Sequence, residues 1–317
     1  MPSHVAYCHK KLGPQLNQPA EPSYLRICIH RFQTALVCGL LWGLHRLPYE
    51  KRLKFGGWVF GRVIAPMTSY HKRIVENLEL IFPELPTVDT KRLSQEVSRN
   101  IGITFTELFS PDDFLNANAN YSLHGTGFEA LKQAHAQGRP TIVVSGPFGN
   151  YDVVRANLIR HGLRVGGLYR RMDNPYFHDL YIKSISKIGN GLFERGRSGL
   201  KQMLKFLKGG GVLAVLIDQR LTTGAQLNFM GHSAYTSLSI AELALKLDAL
   251  VVPAYAVRQP DLSYCIQIED PILHSTPEQM TQDLNDSLSQ QVSRDPEKWL
   301  WIHRRWKSTV THDDATN

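Results

Sequence analysis

Apolar and polar positions change rhythm about a third of the way along the chain. Through residues 27–115, apolar residues recur at helical spacing; Leu93, Val97, Ile101, Phe105 and Leu108 share one face over several turns. Pro83, Pro86 and Pro111 punctuate this region, which therefore reads as a series of helices. Near residue 120, short apolar runs begin to alternate with helical stripes. Residues 141–145 (TIVVS) and 212–217 (VLAVLI) are apolar throughout, as expected of parallel strands buried on both faces. Residues 165–169, 250–257 and 264–268 read as further strands, the second broken by Pro253. Between them lie a helix over 150–160 and stripes of Leu200, Met203, Leu204 and Leu207, ended by glycines at 209–211, and of Ile240, Leu243, Ala244 and Leu247. Residues 277–293 and 297–306 read as closing helices. The alternation predicts an α/β fold, a mostly parallel sheet flanked by helices. The expected organisation is a loose basic arm (1–25), a helical region (26–115), an α/β domain (116–310) and a tail (311–317).

Composition narrows the class. At 317 residues, 43% hydrophobic and 20% charged, the chain is neither disordered nor a disulfide miniprotein. A mean hydropathy of −0.23 excludes a polytopic membrane protein. The cysteines at 8, 28, 38 and 265 have neither CxxC nor zinc-ligand spacing, which points to reduced thiols in a cytosol-facing protein. The net charge of +8 is unevenly placed. Residues 1–75 carry 11 Lys/Arg against Glu21 and Glu50, whereas the rest carries 25 basic and 26 acidic residues. A basic N-terminal region suits an anionic surface, either nucleic acid or the cytoplasmic face of a membrane. No recognition-helix or zinc-finger pattern accompanies the charge.

The first 25 residues lack the apolar segment of a cleavable signal peptide. Residues 35–44 form the most apolar stretch, and extending it reaches His45 and Arg46. That is short of the roughly 20 residues a span needs, so the expectation is a helix that dips into a bilayer or packs on the core. Residues 56–70 form a second, semi-apolar stretch containing Arg62. Arg26, Arg31, Lys51, Arg52, Lys54, Lys72 and Arg73 flank the two. The combination fits interfacial anchoring, or equally two core helices with solvated bases.

In open parallel sheets, ligands sit off the carboxyl ends of the strands. Two polar segments fall there: residues 145–152 (SGPFGNYD), and Asp218, Gln219 and Arg220. Pro147 suits a first helical turn, and Asp152 a helix start. After the second strand come Arg170, Arg171, Asp173 and Asn174; Arg195 and Arg197, with Gly196 and Gly199, precede a helix. A single such arginine usually meets solvent, but two clusters after strands point to an anionic ligand. Residues 299–307 are aromatic and basic. Trp299, Ile302 and Trp306 would share a core-facing helix face, leaving Arg304, Arg305 and Lys307 for an acidic partner or phospholipid.

These blocks together resemble the lipid A biosynthesis acyltransferase family, the lauroyl and myristoyl transferases of Gram-negative inner membranes. The resemblance runs from about residue 30 to 307. It rests on residues 73–84 (RIVENLELIFPE), on 145–152, on Tyr169 and Arg170 with Asp173, Asn174 and Pro175, and on Arg195. The glycines at 209–211, Asp218 and Gln219, residues 229–231 and residues 301–307 continue the order. The resemblance implies a glycerolipid-acyltransferase-like fold with an N-terminal membrane-associating region. It implies transfer of a fatty acyl chain from acyl carrier protein to a hydroxyl of a glycolipid precursor, without metal or organic cofactor.

The same resemblance gives Asp152 the acidic position of the catalytic pair. It makes Asn150, Arg170, Asp173, Asn174, Arg195, Asp218 and Gln219 substrate-binding, and Arg304, Arg305 and Lys307 contacts for the carrier protein. The family's block reads His, four residues, then Asp or Glu; here Pro147 stands at the histidine position. Losing a general base costs about 10²–10⁴-fold in rate, and Asp152 alone, with a reference pKa near 3.9, is a poor base toward a hydroxyl. Either another histidine serves, with His161 and His178 as candidates to fold near the site, or the chain is a pseudoenzyme that binds lipid or carrier protein and regulates a paralogue. Three other His-x4-Glu pairs, His45/Glu50, His71/Glu76 and His124/Glu129, lack the strand–turn–helix setting.

Overall fold

The computed structural model describes residues 24–117, 121–217 and 224–306. Asp218, Gln219, Arg220, Lys307, Cys8, the tail and nearly all of the expected arm lie outside the described residues. The N-terminal third is helical, as its periodicity requires: α1 (Tyr24–Leu44), α2 (Tyr49–Val59), α3 (Ser69–Ile81), α4 (Thr87–Leu108) and α5 (Pro111–Ala117). A π-turn (Phe60–Ile64) and a 3-10 turn (Ala65–Met67) carry α2 onward. Then β1 (Ser122–His124), α6 (Gly127–Ala136), β2 (Thr141–Ser145), α7 (Asp152–Arg160), β3 (Val165–Tyr169), α8 (Pro175–Ser186), β4 (Gly191–Glu194), α9 (Arg197–Lys208) and β5 (Val212–Leu216) alternate. A hairpin, β6 (Ala225–Phe229) and β7 (His232–Thr236), precedes α10 (Ser239–Leu247), β8 (Leu250–Arg258), β9 (Tyr264–Ile268) and α11 (Pro277–Arg294).

Seven strands form one sheet in the order β1-β9-β8-β2-β5-β3-β4. The five from β8 to β4 run parallel; β9 pairs antiparallel with β8 and parallel with β1. Central β2 is buried on both faces. Val143 packs with Val154, Leu158 and Val252 on one side, and Ile142 and Val144 pack with Met203, Leu213 and Leu284 on the other. A third core gathers Phe148, Phe229, Trp299 and Trp301 beneath α3, α4 and α11.

Three expectations need correction. Strand β8 is unbroken: Pro253 pairs with Val144 at the end of the β2 ladder, and β9 pairing starts at Ala254, so the missing N–H falls where one partner gives way to the other. Residues 297–306 are not a helix. A 3-10 turn (Pro296–Lys298) leads into an irregular segment whose rings pack on one another, Trp299 and Trp301 edge-on at 4.7 Å. Arg52 is not an interfacial base but is 5% exposed, bonding the Leu44 and Leu47 carbonyls, Ser110 and Asp113 (2.6 Å).

Helix α1 is continuous over 21 residues, about 30 Å long, and long and apolar enough to cross a membrane by length and composition. It is not a core helix: Leu25, Ile29, Phe32, Leu36 and Trp42 are exposed. It docks on α8, where Asn174 Nδ2 donates to the His30 carbonyl (3.0 Å) and Arg31 bonds and stacks on Tyr176.

Candidate functional site

The turn after β2 is held from two sides. Gly149, at φ +55°, donates its N–H to the Lys298 carbonyl, while Leu300 donates to the Pro147 carbonyl. Phe148 bridges Trp299 across the same seam. Pro147 therefore sits in the turn, not in a first helical turn; α7 begins at Asp152. Asn150, fully buried, organises that start. Its Oδ1 accepts from the Asp152 N–H (3.1 Å), and its Nδ2 donates to Glu107 of α4 (3.2 Å). With both ends of its amide committed, Asn150 shapes the turn from within instead of facing a ligand.

Glu107 is the hub of a buried polar network absent from the sequence reading. Its Oε2 accepts from Arg258 (2.6 Å), Tyr264 (2.7 Å) and Asn150, and Arg258 also bonds Asn100 and Thr104. Burial works against the charged Arg258, but the Glu107 carboxylate outweighs it and holds the guanidinium ionised. The network ties α4 to β8, β9 and the turn that presents Asp152.

Asp152 lines a cavity of about 300 Å³ at the carboxyl ends of β2, β3 and β5, with Ser145, Tyr151, Arg155, Tyr169, Arg170 and Tyr181. That volume and position fit a small-ligand pocket at a sheet edge. Asp152 Oδ1 accepts from Arg155 Nε (2.7 Å), and Arg155 is fixed in turn by the Ile185 and Gly189 carbonyls. Oδ2 is buried and has no partner among the described residues. An unpartnered buried carboxylate oxygen is rare in a folded chain and marks Asp152 as a residue under functional constraint. Tyr151 and Tyr181 place their hydroxyls 3.3 Å apart on the same wall. Burial first, then each other's phenol for Tyr151 and the Asp152 charge for both, push these phenols above their ordinary range; they remain protonated donors at neutral pH.

Arg170 also lines an adjoining cavity of about 200 Å³, together with Arg195, Ser237 and Ser239. The backbone brings the two arginines together, because Arg195 N–H donates to the Tyr169 carbonyl at the β3–β4 edge (2.8 Å). Asp173 lies 3.5 Å from Arg170 in an exposed pair. Asn174 caps α8, accepting from Phe177 N–H, and receives α1. Its amide is thereby engaged within the protein.

Arg304 is exposed, but Arg305 is 1% exposed. It donates to the Tyr235 carbonyl and Thr236 and stacks on Phe229, so it locks the β6–β7 hairpin onto the core and offers no surface charge. Residues 73–84 meet the C-terminal segment: Asn77 Nδ2 donates to the Trp301 and His303 carbonyls, and Phe82 packs on Trp301.

Pro147 faces a different cavity, about 210 Å³ between α4 and residues 298–300, with Tyr151 lining both. His161 caps the far end of α7 against the Asn157 carbonyl and Phe128, away from Asp152. His178 is buried on the α8 face that carries Tyr181 and Ile185 to the cavity. Its ring is 5.8 Å from Tyr169, and its Nδ1 has no partner among the described residues. In the three loose His-x4-Glu pairs, Glu50, Glu76 and Glu129 bond Lys54, Lys72 and Lys132. Sequence reasoning missed Arg155, Tyr181 and Glu107. Only the Asp-x-x-Arg spacing of Asp152 and Arg155 in a first helical turn could have signalled one of them.

A family model described as bacterial lipid A biosynthesis acyltransferase matches residues 23–308. The chain is 25% identical over 282 residues to a lipid A biosynthesis palmitoleoyltransferase of Escherichia coli (strain K12), covering 85% of this chain and 89% of that one. It is 26% identical over 289 residues to a lipid A biosynthesis lauroyltransferase of the same organism, covering 87% and 91%. A lipid A biosynthesis acyltransferase of Haemophilus influenzae aligns over 184 residues at 24%, or 56% of each chain.

Proposed function

Since the chain belongs to the bacterial lipid A biosynthesis acyltransferase family, we propose that it transfers a fatty acyl chain from acyl carrier protein to a hydroxyl of a lipid A-type glycolipid precursor. The work would take place on the cytoplasmic face of the inner membrane, to which α1 holds it, peripherally or as an anchor. The observation that carries this reading is the pair of adjoining cavities. Asp152 lines one, and Arg170 and Arg195 line the other. Asp152 receives the acceptor hydroxyl, and the two arginines hold an acceptor phosphate or position the donor. Asp173 trims the Arg170 side, and Asp218 and Gln219 are assigned to substrate binding by the family resemblance alone. Arg304 and Lys307 remain the contacts for the acidic carrier protein. In the reaction the hydroxyl oxygen attacks the thioester carbonyl and the C–S bond breaks. The carrier's thiol leaves with the proton that the hydroxyl gave up. The units are the arm (1–25), the membrane-associating helical region (26–115), the acyltransferase-like domain (116–310) and the tail.

One observation favours a second reading, a catalytically impaired relative that binds lipid or carrier protein and regulates a paralogue. Pro147, which the family resemblance puts at the histidine position, faces another cavity, and Arg155 occupies Oδ1 of Asp152. Labelled acyl transfer from acyl carrier protein to a lipid A precursor, by the native chain beside Pro147→His, separates the two. Turnover by the native chain establishes the enzyme and directs the search for its base to His178. Turnover by the variant alone establishes an intact but silenced site. No turnover by either means that the acceptor is a different one or that the site has decayed beyond one residue.

A further inference from the structure

Helices α2 and α4 pack unusually closely because glycines line the seam. A Cβ on Gly56 would lie 2.1 Å from Thr106 Oγ1, and one on Gly102 would lie 2.4 Å from Phe60 Cβ and 2.7 Å from the Gly56 carbonyl. The π-turn that follows α2 then places Arg62 across from Arg92 and Arg99. The three arginines line a groove of about 280 Å³, floored by Gly57 and Gly61 and walled by Trp58, Gln95 and Glu96. Arg92 pairs with Asp89 at 3.2 Å in an exposed contact. Arg62 and Arg99 make no ion pair among the described residues. Glu96 is the groove's one carboxylate, so the groove is net positive. Three guanidiniums around one concavity repel one another, and an anion between them relieves that cost.

Beside the groove is an apolar surface on the same stretch of chain. Phe55 and Trp58 are stacked at 5.8 Å and are 46% and 53% exposed; Val63 and Met67 are 43% and 82% exposed. Lys51 and Lys54, on the same helix, are also exposed. Aromatic and aliphatic side chains beside a basic concavity match the boundary of a bilayer, where rings sit at headgroup level and bases meet phosphate. The end of α1 is tied to α2 through Arg52.

We propose that the α2–α4 groove of Arg62, Arg92 and Arg99 is a headgroup site for an anionic phospholipid, with Phe55, Trp58, Val63 and Met67 inserted beside it. This second attachment seats the helical region on the bilayer independently of α1. It rests on the membrane location proposed above. A lipid phosphate is favoured over a soluble one because the apolar side chains have no role toward a free anion.

The test is co-sedimentation of the full chain with vesicles of phosphatidylcholine, with and without phosphatidylglycerol. Arg62→Gln and Arg99→Gln should each weaken binding to the anionic vesicles about fivefold, the value of one base near a charged surface. Binding to pure phosphatidylcholine should not change. Arg62→Lys should retain most of the affinity, and Phe55→Ser with Trp58→Ser should weaken binding to both vesicles. Unchanged affinity of the double glutamine variant for anionic vesicles, or equal loss on both kinds, would overturn the headgroup site and leave the location standing. A native chain that binds neither vesicle refutes the location as well. A thermal shift by inorganic phosphate that needs Arg62 and Arg99, with vesicle binding unaltered, would assign the groove to a soluble anion instead and overturn the lipid.

Discussion

The Glu107 network offers the sharpest test of how the site is held. In Glu107→Gln the volume is kept and one carbonyl acceptor survives, so the perturbation is the loss of charge at the centre of three hydrogen bonds. Arg258 is 3% exposed, and its remaining partners, Asn100 and Thr104, are neutral. Removing one member of a buried ion pair costs about 3–5 kcal/mol, because the other is left uncompensated. The two surviving bonds place this case near the lower end. For a chain of this size, each kcal/mol moves Tm by roughly 1.5 °C, so the fall should be about 5 °C. Thermal unfolding of Glu107→Gln, Arg258→Met and the double variant measures it. The double variant should be less destabilised than the two singles combined, since Met removes the stranded charge; the coupling should be about 1–3 kcal/mol. A Tm for Glu107→Gln within about 2 °C of native, or a strictly additive double variant, would refute the network as the clasp between α4 and the Asp152 turn.

Other expectations follow from the same geometry. Gly102→Ala places a methyl against Phe60 and the Gly56 carbonyl; it should cost about 1–3 kcal/mol, read as a lower Tm, and a neutral result would mean that α2 and α4 part freely. Burial lowers the His303 pKa, so the folded state prefers the neutral ring. Stability should be flat above about pH 6.5 and fall as pH drops through it, where the unfolded chain takes up the proton first; His303→Gln should remove that part of the Tm–pH curve. Arg170→Ala and Arg195→Ala should each weaken binding of a phosphorylated glycolipid, and unchanged affinity in both would remove them from the site.

Strand β2, the α9 and α10 stripes and the long helices were legible because an unbroken apolar run and a period of 3.6 are local properties of the chain. So were the positions of Asp152, Arg170 and Arg195, since residues that follow buried strands gather at one sheet edge. Strands β1 and β4, three and four residues long, carry too little pattern to announce themselves and exist because a neighbour pairs with them. The β6–β7 hairpin was not legible: its two-residue loop, Met230 and Gly231, adopts positive φ at both positions without an Asn-Gly or Asp-Gly pair to announce it. The irregular segment after Lys298 defeated periodicity, because its tryptophans are placed by ring packing and not by a helix.

By itself, then, the sequence determined the α/β class, the family and the strand-end residues that could meet a ligand. Tertiary structure alone decided which charges face outward. Arg52, Arg258 and Arg305 look like the surface arginines around them, yet each is buried against carbonyls, hydroxyls or a carboxylate from distant segments. It also decided that Asp152 is held by Arg155 while Pro147 looks into another cavity. The physical reason is that a guanidinium is as readily satisfied by partners 150 residues away as by water. Such partners are set by the packing of whole elements, which no local pattern encodes.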